Sequence, residues 1–308
     1  MATLAVQLSE PELKLLQTLI YEQCGMYFDD RRTHFLEDRL HRRLRACRME
    51  SFYSYYRLLT SRDGRTELSA LLENLTVNET SFWRNQPQLE LFHKTLLDKL
   101  FRRKHAARDF SIKMWSAGCS TGQEPYTMAM LTCDALAFFL LRHTPMAQNY
   151  SPKPMVPLPW RLQIVASDIS YAALRTAQEG VYSGQQIAPV DSMYRLRYFD
   201  RVGENYRVKE ALKQVVQFDF HNLKTEYLPQ CNDVIFCRNV MIYFDAAEQK
   251  RLVDKLWRCL NPGGSLLIGH AETLYGISDR FRMVHLNHGT AYERIDEFTT
   301  DCHGSPPI

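Results

Sequence analysis

The sequence predicts an α/β protein in which a small all-helical region precedes a mostly parallel sheet covered by helices on both faces. Three observations carry this reading. Up to about residue 85, leucines recur at helical spacing and β-like alternation is almost missing. From Ile112 onward short apolar runs alternate with helical patterns, which implies parallel strands joined by right-handed crossovers. The segment KMWSAGCSTGQEPY, Lys113–Tyr126, reads as a strand feeding a glycine turn that opens a helix.

Taken in order, Ser9-Glu10-Pro11-Glu12 forms a capping box, Leu13, Leu16, Leu19, Ile20 and Cys24 follow on one face, and Gly25 ends the helix. A second helix over about 31–49 carries Leu36, Leu40, Leu44 and Cys47 on one stripe. Ser51 caps a third helix, Leu68, Leu71, Leu72 and Leu75 mark a fourth, and 86–104 reads as another. Strands are expected at 112–117, 162–168, 214–219, 233–237 and 264–269, with a hairpin near 281–295. Five prolines make 142–160 an extended surface loop, and 181–213 holds strand-like and short helical pieces. The expected boundaries are 1–85, 86–298 and a disordered tail at 299–308.

Hydrophobic content of 45% and charged content of 24% over 308 residues suit a soluble globular chain, and a net charge of +3 is too small to argue for nucleic acid. No leader pattern or long uninterrupted apolar run is visible, so a cytoplasmic protein is expected. The eight cysteines show no C-x-x-C pair and no histidine at metal spacing; they read as buried hydrophobes, with no metal expected. Cys119, in the glycine turn, reads as a small residue the turn can hold.

A strand, a glycine turn and a helix N-terminus bring backbone N–H groups against a ligand. Gly118 and Gly122 do not match the dinucleotide or P-loop spacings. Asp168, ending the apolar run IVASD, lies 50 positions past Gly118, where a dinucleotide fold shows its acid after about 20. Asp168 is placed to accept from ribose hydroxyls or to cap a helix beginning at Ser170. Glu124 is a first-turn acid favoured by the helix dipole and free to meet a cationic ligand group. The buried strand DVIFC ends in the polar pair Arg238-Asn239.

Together with LTVNETSFWR, WSAGCSTGQEPY, ASDIS, FDFHNL, FCRNVMIYFD and NPGGSLLIGHAETL, the Arg-rich HRRLRACRM resembles the chemotaxis receptor methyltransferase (CheR) family over roughly Pro11 to Ile295. The resemblance implies a class I methyltransferase sheet with a small antiparallel β-subdomain inserted at about 181–213. It also implies methyl transfer from S-adenosylmethionine to glutamate side chains of methyl-accepting chemoreceptor helices, leaving S-adenosylhomocysteine. Asn78, Thr80 and Arg84 stand where the family contacts its cofactor, with the Gly118 turn and Glu124 at the methionine end and Asp168 at the ribose. Asn222 and Leu223 stand at the adenine, and Asn239 and Val240 at the strand end that meets the substrate. Arg84 and Tyr243 are the expected catalytic pair, with a core tyrosine as the alternative for Tyr243.

Between Arg31 and Arg48 there are seven arginines against two acids. At 100° per residue Arg32, Arg39 and Arg43 share one side of a helix, with Arg42 adjoining. Such a face is either merely solvated or a docking surface for an acidic receptor helix, and RNA is a formal rival. The chain lacks the [DN]-P-P-[YF] motif of base methylation and shows RNVMIYF instead, which argues against a nucleic-acid substrate. A non-catalytic sensing module is disfavoured by the joint presence of Arg84, Glu124, Asp168, Asn239 and Tyr243. The loop DRVGENY is shorter and poorer in glycine than in family members that bind a receptor tail peptide. A monomer without membrane insertion is expected.

Overall fold

The computed structural model describes residues 6–143, 155–226 and 229–295. Most of the proline-rich loop and all of the 299–308 tail lie outside the described residues. The helical layer comprises α1 (Glu10–Cys24), α2 (Thr33–Ala46), α3 (Phe52–Thr60) and α4 (Arg65–Leu75). The capping box at Ser9 forms, its amide donating to the Glu12 carboxylate at 3.0 Å, and Gly25 ends α1 at φ +78°. Ser51 caps α3 by accepting from the Ser54 amide at 3.3 Å. Leu16, Ile20, Leu36, Leu40, Phe52, Tyr55 and Leu71 close one core between these helices.

The expected helix at 86–104 extends to Ala106 but is not uniform. It runs as α5 (Gln86–Leu91), a wide π-type turn at Phe92–Leu96 and α6 (Leu97–Ala106). The wide turn leaves Phe92 edge-on to Phe236 at 5.0 Å, beneath the sheet.

The α/β layer continues with β1 (Ser111–Ala117), α7 (Gln123–His143), β2 (Arg161–Asp168) and α8 (Tyr171–Glu179). Next come β3 (Val181–Ser183), α9 (Gly184–Ile187), α10 (Ser192–Tyr198), β4 (Phe199–Val202), β5 (Asn205–Val208) and α11 (Glu210–Lys213). The chain ends in β6 (Val216–Phe220), β7 (Asn232–Cys237), α12 (Ala246–Cys259), β8 (Leu260–Ile268), β9 (Phe281–Leu286) and β10 (Gly289–Arg294). The main sheet has seven strands in the order β6-β2-β1-β7-β8-β10-β9. Only β10 runs against the others, which is the expected class I methyltransferase arrangement. The expected subdomain is an antiparallel three-stranded sheet, β3-β5-β4, whose hairpin turns tightly at Gly203.

One strand starts earlier than expected. Asn232 already pairs with Leu260, and the register then shifts so that Val234 faces Ser265, with Gly263 at φ +64° taking up the extra residues. The chain leaves β1 for β2 and β6 on one side and returns to β7 on the other. The C-terminal ends of β1 and β7 therefore frame a topological switch point, where open α/β sheets bind ligands.

Candidate active site

At the switch point the glycine turn meets the loop after β7. Gly118 adopts φ +79°, and a Cβ there would lie 2.5 Å from the Val240 Cγ2. The Gly118 and Cys119 amides donate to the Ser167 carbonyl at 2.8 and 2.9 Å, extending the sheet by one turn of pairing. Beyond it the Ser120 amide donates to the Asp168 carboxylate at 2.8 Å, and the Ser120 hydroxyl donates to the Asn78 carbonyl at 3.0 Å. The 76–85 loop is thus tied to the turn.

Asp168 is buried, and its second oxygen accepts from the Ser170 amide at 2.9 Å. Burial raises its pKa, with the backbone donors opposing. It does not cap α8; Ser170 does, accepting from the Ala173 amide at 3.1 Å. Glu124, in the first turn of α7, accepts from the Ser116 hydroxyl at 2.7 Å and meets Arg238 at 3.4 Å. Burial lifts the Glu124 pKa despite that guanidinium and lowers the Arg238 pKa. Arg238 also donates to the Arg84 carbonyl at 2.6 Å, while its buried Nε has no hydrogen-bond partner among the described residues. The Arg84 side chain donates to the Glu79 carbonyl at 3.0 Å.

Four non-glycine residues here adopt the left-handed backbone: Trp83 (φ +56°), Asn85 (φ +61°), Ser120 (φ +49°) and Asn239 (φ +61°). Such conformations cost roughly 1–3 kcal/mol each and persist where the surroundings over-determine them. At Asn239 the determinant is Glu272, which accepts from the amides of Gly269, Asn239 (3.1 Å) and Ile242 (3.3 Å).

These elements enclose a cavity of about 340 Å³. Every residue expected to touch cofactor or acceptor lines it: Asn78, Thr80, Arg84, Gly118, Glu124, Asp168, Asn222, Leu223, Asn239, Val240 and Tyr243. The donor set suits S-adenosylmethionine: a buried carboxylate for hydroxyls, a second facing a cationic group, and an apolar flank of Leu223, Ile169 and Val240. The Asn222 amide donates to the Gln23 carbonyl at 2.7 Å.

Sequence reasoning missed part of the wall. Cys24 and Met26, at and just beyond the end of α1, line the cavity, as do His221, Arg238 and Phe244. Met26 pairs with Phe244 in an isolated antiparallel bridge, and the Tyr27 amide donates to the Tyr243 carbonyl at 2.9 Å. No local pattern signals a helix end packing against a loop more than 200 residues away. Arg238 was visible as a polar residue ending a buried strand.

The chain matches two family descriptions, "CheR methyltransferase, all-alpha domain" over residues 11–76 and "CheR methyltransferase, SAM binding domain" over 78–142 and 146–290. The chain belongs to the CheR methyltransferase family. Among its relatives, the chemotaxis protein methyltransferase of Escherichia coli K12 is 33% identical, covering 90% of this chain and 89% of its own. Chemotaxis protein methyltransferase 2 of Vibrio cholerae is 31% identical, covering 91% and 92%. That of Salmonella typhimurium is 32% identical, covering 91% and 90%.

The basic face expected of this CheR methyltransferase is divided among several tasks. Arg43 departs most, because its guanidinium grips Glu67 of α4 through Nε at 3.0 Å and Nη2 at 2.5 Å. Tyr55 donates to the same carboxylate at 2.7 Å, so Arg43 joins α2 to α4 inside the layer. Arg32 precedes the first turn of α2 and stacks over the Tyr243 ring at 5.7 Å. Arg39 lies over Phe35 at 4.8 Å, and Arg42 pairs with Asp38 at 3.0 Å in solvent. Helical periodicity gave the angles but not the partners. No helix among the described residues is long and apolar enough to cross a membrane.

Proposed function

We propose that this cavity transfers a methyl group from S-adenosylmethionine to glutamate carboxylates on methyl-accepting chemoreceptor helices. The observation that carries the reading is a pair of carboxylates, Asp168 buried and Glu124 half-buried, on either side of the glycine turn, with Arg84 and Tyr243 lining the same space. S-adenosylmethionine supplies an electrophilic methyl on a sulfonium. The residues named would hold it: Asp168 would accept from the ribose hydroxyls, Glu124 would face the α-ammonium, and Leu223 and Val240 would flank the rest.

The acceptor carboxylate is anionic at neutral pH, so in-line attack needs no general base. Positioning and exclusion of water supply the rate. Arg84 orients the acceptor carboxylate without covering the attacking oxygen. Tyr243 keeps its proton, since burial raises its pKa, and offers a hydroxyl donor beside the transferred group. Residues 1–85 form the docking layer, with Arg39 and Arg42 the arginines best placed to meet an acidic receptor helix.

Labelled methyl transfer to a chemoreceptor cytoplasmic fragment tests the reading. Volatile methanol released by mild alkali is expected, because carboxyl esters hydrolyse there; alkali-stable label would place the methyl on nitrogen or sulfur and overturn it.

A further inference from the structure

The segment that carries Arg84 into the cavity is anchored on the inserted β-subdomain. Phe82 is buried edge-on to Tyr182 of β3 at 4.9 Å and to Phe199 of β4 at 5.6 Å. Trp83 meets the Tyr194 ring of α10 edge-on at 5.1 Å. Tyr194 is fixed in turn, since its hydroxyl donates to Asp134 of α7 at 3.0 Å, and Asp134 also meets His93 at 3.2 Å and Arg197 at 3.4 Å. Tyr182 donates to the Thr121 carbonyl at 2.8 Å, so the subdomain also touches the glycine turn.

Trp83 and Asn85, on either side of Arg84, both have left-handed backbone, which a tryptophan adopts only under constraint. The Arg238 bond to the Arg84 carbonyl holds one side of this segment. The aromatic contacts hold the other.

We propose that Tyr194 is a positioning residue for Arg84. Through Trp83 the β-subdomain fixes the backbone path that aims the Arg84 guanidinium, so a displacement of α10 is felt at the acceptor carboxylate. The inference rests on the reading of Arg84 as the group that orients the acceptor.

The test uses the full chain, S-adenosylmethionine and a chemoreceptor cytoplasmic fragment, counting alkali-labile methyl. Tyr194→Ala should lower kcat about tenfold and leave the KM for S-adenosylmethionine nearly unchanged. Tyr194→Phe keeps the ring edge against Trp83 but loses the bond to Asp134, so it should recover most of the wild-type rate. In an Arg84→Ala background, Tyr194→Ala should cost nothing further, because it acts through Arg84. Trp83→Leu removes the other half of the contact and should repeat the pattern, which keeps the test open should Tyr194→Ala fold poorly. Wild-type kcat in both Tyr194→Ala and Trp83→Leu, or losses additive with Arg84→Ala, would overturn the clamp and leave the role of Arg84 standing. Wild-type kcat in Arg84→Ala itself would overturn the reading beneath it.

Discussion

The backbone amide of Tyr27 donates to the carbonyl of Tyr243 at 2.9 Å, so the loop leaving α1 and the loop presenting the proposed catalytic hydroxyl share a hydrogen bond. Arg32 lies over the same tyrosine ring. The layer proposed to meet the receptor is therefore in register with the reacting groups before a partner arrives, which is the condition for positional catalysis.

Asp168→Ala should weaken S-adenosylhomocysteine binding by about 3 kcal/mol, near a hundredfold, through the loss of two charged hydrogen bonds to the ribose. The same change strips the Ser120 amide of its acceptor and loosens the glycine turn. Titration calorimetry that returns the wild-type affinity would remove Asp168 from the site.

Arg84→Ala and Tyr243→Phe should instead act on turnover, with kcat falling for Arg84→Ala by about a hundredfold and cofactor affinity changing far less. Steady-state methylation at saturating receptor is the measurement, and an unaltered kcat for either variant removes that residue from catalysis.

Reversing Arg39 and Arg42 to glutamate should raise the KM for receptor with little change in melting temperature, because Arg42 is exposed and half-buried Arg39 loses only its cation–π contact with Phe35. High salt should weaken the wild-type enzyme in the same direction. Arg43→Ala is different: losing its bonds to Glu67 should cost about 1–3 kcal/mol of stability. Burial pushes the Glu67 pKa up, but Arg43 and Tyr55 outweigh it and carry the value below the usual range. That stabilisation is present above the ordinary glutamate pKa and is lost as pH falls through the lowered one. Denaturant melts against pH should show Arg43→Ala flattening this acid limb.

Glu124 has the opposite sign. Its folded pKa is raised, so between the ordinary and raised values the empty protein holds a proton that the unfolded chain has released. Stability of the empty protein therefore falls as pH rises through that window. A cofactor ammonium favours the ionised form, so binding in mildly acidic buffer should release protons. Calorimetry in buffers of different ionisation enthalpy reads the release, and Glu124→Gln should reduce it, the remainder belonging to Asp168. No proton release by the wild-type protein would mean that Glu124 does not meet the cationic group.

Gly118→Ala should lower both stability and S-adenosylhomocysteine affinity, since the new methyl would sit 2.5 Å from Val240 on a backbone at φ +79°. Adding Val240→Ala relieves the clash but not the backbone strain, so recovery should be partial. Full activity of the single variant would show that the turn can move away from β7.

Much of the fold was legible because it is written locally. The Ser9 box, the Ser51 cap, the leucine stripes and the alternating apolar runs place elements within a few residues. The cavity lining was legible only through motifs that name their own positions. What had no local signature was long-range: Met26 against Phe244, Arg43 on Glu67, Arg238 between Glu124 and Arg84, and the early start of β8 behind a bulge. Periodicity says which way a side chain points, and the partner that waits there comes from elsewhere in the chain.

The cavity wall joins Met26, packed in the helical core, to Asp168, at the end of a sheet strand. A ligand resting on both is bound only by molecules in which both cores are folded. Its binding free energy is withheld from any species with one core melted, and grows as RT ln(1 + [L]/Kd). Saturating ligand should therefore disfavour half-unfolded chains and couple the melting of the two cores.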